Sequence, residues 1–162
     1  MKRLVWTGLL LGIMTAVGTA GDLKFEKQVL NKGFYSEGCA VADFDGDGKK
    51  DVLAGPFWYK APDWKRYKIR NPGSFQFDKG YSDSFINGAM DVDQDGWNDA
   101  ILVGMPGTAG WWYENPRPGY GLWKKHPIFP AVCNESPYLN IDLDGNGRGD
   151  LVFPSSTDGK WA

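Results

Sequence analysis

Short apolar runs of three to five residues alternate with acidic, glycine-bearing turns along most of the chain. Beyond residue 20 no long segment keeps the 3.6-residue spacing of an amphipathic helix. Cys39-Ala40-Val41-Ala42 and Val52-Leu53-Ala54-Gly55 bracket the first turn. Asn87-Gly88-Ala89-Met90 and Ala100-Ile101-Leu102-Val103-Gly104 bracket the second, and Tyr138-Leu139-Asn140-Ile141 and Leu151-Val152-Phe153 the third. Runs this short, bounded by Gly and Pro, read as buried strands. Two of the three units continue alike. Phe57-Trp58-Tyr59-Lys60-Ala61-Pro62 matches Trp111-Trp112-Tyr113-Glu114-Asn115-Pro116, and Trp64-Lys65-Arg66-Tyr67-Lys68-Ile69 matches Trp123-Lys124-Lys125-His126-Pro127-Ile128. The pattern predicts a four-strand unit over about 37–70 and 85–129 and the opening of a third over 136–162. The lysines of each last strand suit an exposed edge, where charge opposes edge-to-edge pairing. Leu23-Lys24-Phe25-Glu26-Lys27-Gln28-Val29 resembles that last strand and is expected to be an outer strand of a preceding unit.

The turns carry the chemistry. Their nine positions are occupied by Asp43-Phe44-Asp45-Gly46-Asp47-Gly48-Lys49-Lys50-Asp51, Asp91-Val92-Asp93-Gln94-Asp95-Gly96-Trp97-Asn98-Asp99 and Asp142-Leu143-Asp144-Gly145-Asn146-Gly147-Arg148-Gly149-Asp150. Side-chain oxygens at positions 1, 3, 5 and 9 of a tight loop can converge on one point, and the glycine at position 6 permits the sharp turn. Carboxylates so placed repel one another unless a cation lies between them. Oxygen-only ligands in flexible geometry select calcium, to which position 7 (Lys49, Trp97 and Arg148) would add its backbone carbonyl. The expectation is up to three calcium ions. The loops are not EF-hands: position 12 is Ala54, Leu102 and Phe153 rather than Glu, and strands rather than helices flank them.

The loops begin at residues 43, 91 and 142, so the period is 48 and then 51 residues, within the range of propeller blades and solenoid units. Loop, flanking strands, the Ala54-Gly55-Pro56 and Val103-Gly104-Met105-Pro106 strand ends and the Trp-Tyr third strand together resemble FG-GAP (VCBS-type) repeats. These are the calcium-loop blades of integrin α-subunit propellers and of many bacterial secreted proteins. The similarity spans about residues 23–162. It implies an all-β fold of β-propeller blades, seven in a full-length relative, with calcium held between the first and second strands of each blade. The first unit keeps Ala-Gly-Pro and the third Val152-Phe153-Pro154, which departs from the family's Gly-Ala-Pro. Ring closure takes typically about 4–8 blades. Two complete units and the start of a third therefore read as part of a protein more than twice as long, expected not to form a stable monomer on its own; assembly of copies into a ring is the alternative.

Residues 1–20 follow another pattern: Lys2 and Arg3, an apolar stretch from Leu4 to Val17, then Gly18-Thr19-Ala20. This is the form of a secretory signal peptide, too short for a comfortable membrane span. A secreted, periplasmic or cell-surface location is expected, with no membrane span after its removal. Without Lys2 and Arg3 the chain keeps 16 basic against 20 acidic residues, and 11 of the acids are loop aspartates. That balance excludes a basic nucleic-acid binder. Cys39 and Cys133 are too few for a disulfide scaffold and read as buried free thiols rather than a bridge.

His126, the single histidine, falls beside Lys125 on an outer strand and reads as a surface residue rather than a triad base, and multi-histidine zinc sites are excluded within this chain. Arg148-Gly149-Asp150 spells an adhesion tripeptide, but its aspartate is a loop ligand; Asn134-Glu135-Ser136 matches a glycosylation triplet. Trp58, Tyr59, Trp111, Trp112, Tyr113 and Trp123 serve either packing between units or, as an alternative, a platform for sugar rings. The preferred function is a non-catalytic, calcium-stabilised module binding an extracellular protein or a polysaccharide. The alternatives are a fragment of a secreted polysaccharide-lyase-like enzyme, for which Lys79, Tyr81, Arg117 and His126 are scattered candidates, and a structural spacer.

Overall fold

In a computed structural model of the 162-residue chain, the structure describes residues 24–117, 119–129 and 138–153. The expected leader, Cys133, the Asn134 triplet and the end of the third unit lie outside them. The described chain is all-β, with no helix. Strands β1 (Ala40–Ala42), β2 (Asp51–Ala54), β3 (Phe57–Lys60) and β4 (Lys65–Lys68) form one antiparallel sheet in that order. Strands β5 (Ile86–Met90), β6 (Asp99–Val103), β7 (Gly110–Glu114) and β8 (Lys124–Phe129) form a second with the same order. Strands β9 (Tyr138–Ile141) and β10 (Asp150–Val152) make an antiparallel pair. No sheet closes on itself among the described residues. The first strands of the three units are neighbours: β1 lies beside β5, and β5 beside β9.

The period of two along β6 explains how the units stack. Ala100 and Leu102 join a core with Ala42, Phe44, Leu53 and Trp58 of the first unit. Ile101 and Val103, on the opposite face, pack with Phe129 and with Leu151 and Phe153 of the third. Buried on both faces, this strand has the continuous apolar run Ala100-Ile101-Leu102-Val103 rather than an alternating one. The edge strands behave differently. In β4, Lys65, Arg66 and Lys68 are exposed, as are Lys124 and Lys125 in β8. Pro127 cannot donate to a ladder, and it is accommodated on this edge beside a register shift opposite Gly110 and Trp111.

Asparagines tie the sheets together. The Asn87 side chain accepts from the Gly55 N–H (2.7 Å) and donates to the carbonyls of Gly38 and Ser84 (3.1 Å each). Asn115 donates to the Phe44 carbonyl at 2.7 Å, and Asn98 to the Asp43 carbonyl at 2.9 Å. These bonds give backbone groups at the junction the partners that burial demands.

Two expectations are corrected. Residues 24–29 form no strand; Phe25 and Val29 are exposed, and among the described residues no strand pairs with them. Cys39 is free but exposed, because it precedes β1 rather than facing the core. The following segment instead packs on the first sheet: Asn31 donates to the Tyr59 hydroxyl at 2.9 Å, and Tyr35 meets Phe57 edge-on at 5.0 Å. Gly55 makes that packing possible, with φ of 57° and the Tyr35 carbonyl oxygen 2.5 Å from where a Cβ would stand. Gly55→Ala combines a left-handed backbone cost with this clash, and we expect a loss of about 2–4 kcal/mol in urea unfolding. An unchanged midpoint would show that this segment does not rest on the turn.

Candidate metal centres

Each acidic turn connects the first and second strands of its unit, and local hydrogen bonding curls all three alike. The position 1 carboxylates of Asp43, Asp91 and Asp142 each accept from the position 6 glycine N–H, at 2.8, 2.9 and 2.9 Å. Their other oxygens take Gly46 N (2.8 Å), Asp95 N (2.9 Å) and Gly145 N (2.8 Å). The position 6 glycines have φ of 82°, 90° and 84°, the left-handed region that a side chain resists. At position 9, Asp51, Asp99 and Asp150 accept from the N–H of position 2 at 3.1, 3.0 and 2.8 Å, closing each loop.

This wiring brings three carboxylates together in every turn. Oxygens of Asp43, Asp45 and Asp51 lie within 4.8 Å of one another, as do those of Asp91, Asp93 and Asp99 and those of Asp142, Asp144 and Asp150. At such a separation each pair of charges repels by on the order of 3 kcal/mol in a medium of effective dielectric 20. Positions 1, 3 and 9 thus converge as the spacing predicts, and each group could hold a metal ion. Asp47 and Asp95, at position 5 of the first two loops, are not among those groups. The Asp47, Asp95 and Asn146 side chains accept from the position 7 N–H of Lys49, Trp97 and Arg148 at 2.9, 2.8 and 2.9 Å, and so orient that peptide.

Burial divides the carboxylates. Asp51 and Asp99 are fully buried and reach from the loop to the far end of the third strand, where they accept from Ala61 N and Asn115 N at 2.8 Å each. Desolvation pushes both upward, Asp99 to about 6, against the lowering effect of those N–H groups; Asp93 and Asp91 push Asp99 further. Asp47 is the opposite case, held at about 2 first by the Lys60 ammonium and then by the Lys49 N–H. Lys60 also pairs with Asp45, and Arg117 pairs with Asp95. Cationic side chains therefore rest on carboxylates of the first two loops, a role for Lys60 that its place at the end of an aromatic strand does not announce.

The raised Asp99 pKa sets a pH dependence. Between about pH 4 and 6 the folded state holds a proton that the unfolded chain has released, so metal-free stability falls as pH rises through that window. A bound cation favours the carboxylate, so calcium should reverse the trend and lose affinity on acidification over the same range. Chemical denaturation at pH 4, 5, 6 and 7, with calcium and with chelator, checks this; parallel profiles would contradict it.

The scattered candidates each meet different partners. Tyr81 lies edge-on to Phe85 at 5.4 Å, and the Lys79 N–H donates to the Gln76 carbonyl. His126 is half-buried: it stacks on Trp112 at 4.2 Å and bonds Glu114 at 2.7 Å, which holds that carboxyl below its usual range. Trp58, Tyr59, Tyr113 and Trp123 are buried, whereas Trp111 lies under the Lys125 ammonium at 3.6 Å. Among the described residues no helix is long and apolar enough to cross a membrane. No family model, curated protein or solved structure matches the chain.

Proposed function

We propose that the chain is a secreted calcium-binding module built of propeller-type blades of the FG-GAP (VCBS) kind, non-catalytic, and that it binds an extracellular protein or glycan. The observation that carries the metal reading is the threefold repetition of one loop, with the position 6 to 1, 2 to 9 and 7 to 5 hydrogen bonds repeated and the same three converging carboxylates. Acidic surface turns arising by chance have no reason to share a wiring diagram. Supporting the blade reading, two meander sheets have identical strand order, their first strands adjoin, and β6 of the second sheet is buried on both faces. The loops would serve as rigid corners, with calcium neutralising carboxylates that otherwise repel.

Calorimetric titration of calcium into chelator-treated protein, with elemental analysis of the purified chain, tests this reading. Calcium binding at the three loops is expected; absence of heat together with absence of bound metal would sink it. Calcium rather than magnesium is expected to be the tighter ligand, because carboxylates and a carbonyl on a flexible loop suit the larger ion.

A further inference from the structure

The longest connection between described strands is residues 69–85, which join β4 to β5, whereas residues 130–137 suffice between β8 and β9. Against residues 34–37 it forms a groove of about 410 Å³, lined by Phe34, Glu37, Phe77, Asp78, Gly80 and Tyr81. We propose that this groove is the docking site for a lysine or arginine side chain presented by an extracellular protein partner. The inference rests on the protein branch of the proposed function and supplies the site which that branch lacks.

The connection holds no strand or helix, yet it is pinned at its base. Glu37 accepts from the Ser82 N–H at 2.7 Å and from the Ser82 hydroxyl at 2.6 Å. Arg70 donates to the Asp83 carboxylate at 2.9 Å and to the Ser84 hydroxyl at 2.7 Å, and both serines are buried. Tyr81 is braced edge-on by Phe85 at 5.4 Å. A connection longer than about 12–15 residues with no secondary structure is uncommon in a compact domain, and one so anchored holds its side chains ready for a partner. Phe77 is 81% and Tyr81 60% exposed, so both rings are open to a ligand.

Charge selects the occupant. Two of the lining residues are carboxylates and none is a cation; Lys79 lines a separate cleft with Phe75. Among the described residues neither Glu37 nor Asp78 pairs with a cation, and Ser82, which holds Glu37, is neutral. Open aromatic rings beside unneutralised carboxylates attract an ammonium or guanidinium, while an anion is repelled and a neutral group gains nothing from the charge. Phe77 also offers apolar area that a protein surface would cover and a small free cation would leave wet.

The test is an amide NMR titration of the full chain in saturating calcium. The probes are the end-blocked peptides Ala-Leu-Arg-Leu-Ala and Ala-Leu-Gln-Leu-Ala, with phosphatidylcholine vesicles as the source of a headgroup cation. Saturable shifts at residues 34–37 and 77–82 are expected with the arginine peptide, roughly tenfold weaker with the glutamine peptide and weakened by added salt. Affinity should fall roughly threefold in Asp78→Asn and fivefold in Tyr81→Ala. Asp78 and Tyr81 are exposed and outside the metal loops, so both variants should keep the full calcium-induced rise in melting temperature. Silence from the arginine peptide, an equal response to the glutamine peptide, a response confined to the vesicles, or indifference to both substitutions would each overturn the inference. A calcium-induced melting shift without peptide binding would defeat this groove alone; peptide binding without any calcium shift would defeat the metal reading alone.

Discussion

Chelation of calcium is expected to lower the thermal midpoint of the chain by roughly 20 °C. Three groups of carboxylates, each within 4.8 Å, are held together by backbone N–H groups that were arranged at the cost of mutual repulsion. An ion that binds only the folded state stabilises it by about 2.7 kcal/mol per site at a hundredfold excess over its dissociation constant. Several such contributions, in a domain of this length, amount to a shift in the tens of degrees. The first two loops should respond less than the third, because Lys60 and Arg117 already offset part of their charge. Differential scanning calorimetry with calcium and with chelator measures the effect. Superimposed melts would remove calcium from any account of the fold.

Replacing Asp99 with alanine should be the most damaging single change at a loop. Its carboxylate is fully buried and accepts from Val92 N at 3.0 Å and Asn115 N at 2.8 Å. Alanine leaves two buried donors unsatisfied, and each such loss costs about 1–3 kcal/mol, so about 2–6 kcal/mol is expected in chelator. In calcium the penalty grows, because a converging ligand of the second loop is lost as well. Asp99→Asn separates the two roles. It keeps one acceptor oxygen for one of the two N–H groups and no longer ionises. The metal-free protein should therefore suffer about half of the alanine penalty and lose most of its stability change between pH 4 and 6. Its calcium response should still shrink by about one site. Urea unfolding of both variants, with and without calcium, reads all of this; equal behaviour of Ala and Asn would mean that hydrogen bonding at Asp99 is immaterial.

Much of the architecture was legible because it is written at short range. The short apolar runs around Leu53 and Leu102 mark buried strands, the nine-residue loops announce their own curvature, and the aromatic pairs at Trp58 and Trp112 mark the third strands. The asparagines were not legible, because their partners are remote: Asn115 bonds a carbonyl 71 residues away and Asn87 an N–H 32 residues away. In the sequence Asn115 merely stands where the first unit has Ala61. The segment 24–29 misled for a related reason. Its residues suit an outer strand, yet strand formation needs a neighbour, and composition does not reveal whether one is present. At the metal centres the spacing exposed positions 1, 3 and 9. At position 5 the spacing does not reveal that the side chain also accepts from the N–H two residues on.

The contacts between the first two loops have a thermodynamic corollary. Asn98 of the second loop holds the Asp43 carbonyl of the first, Trp97 lies on Gly46, and Asn115 joins Asp99 to the Phe44 carbonyl. An ion that orders either loop therefore spends part of its binding free energy ordering the other, and the next ion meets a smaller entropic cost. Saturation of the pair should consequently be cooperative, so that the junction between units firms over a narrower span of calcium concentration than either loop would set alone.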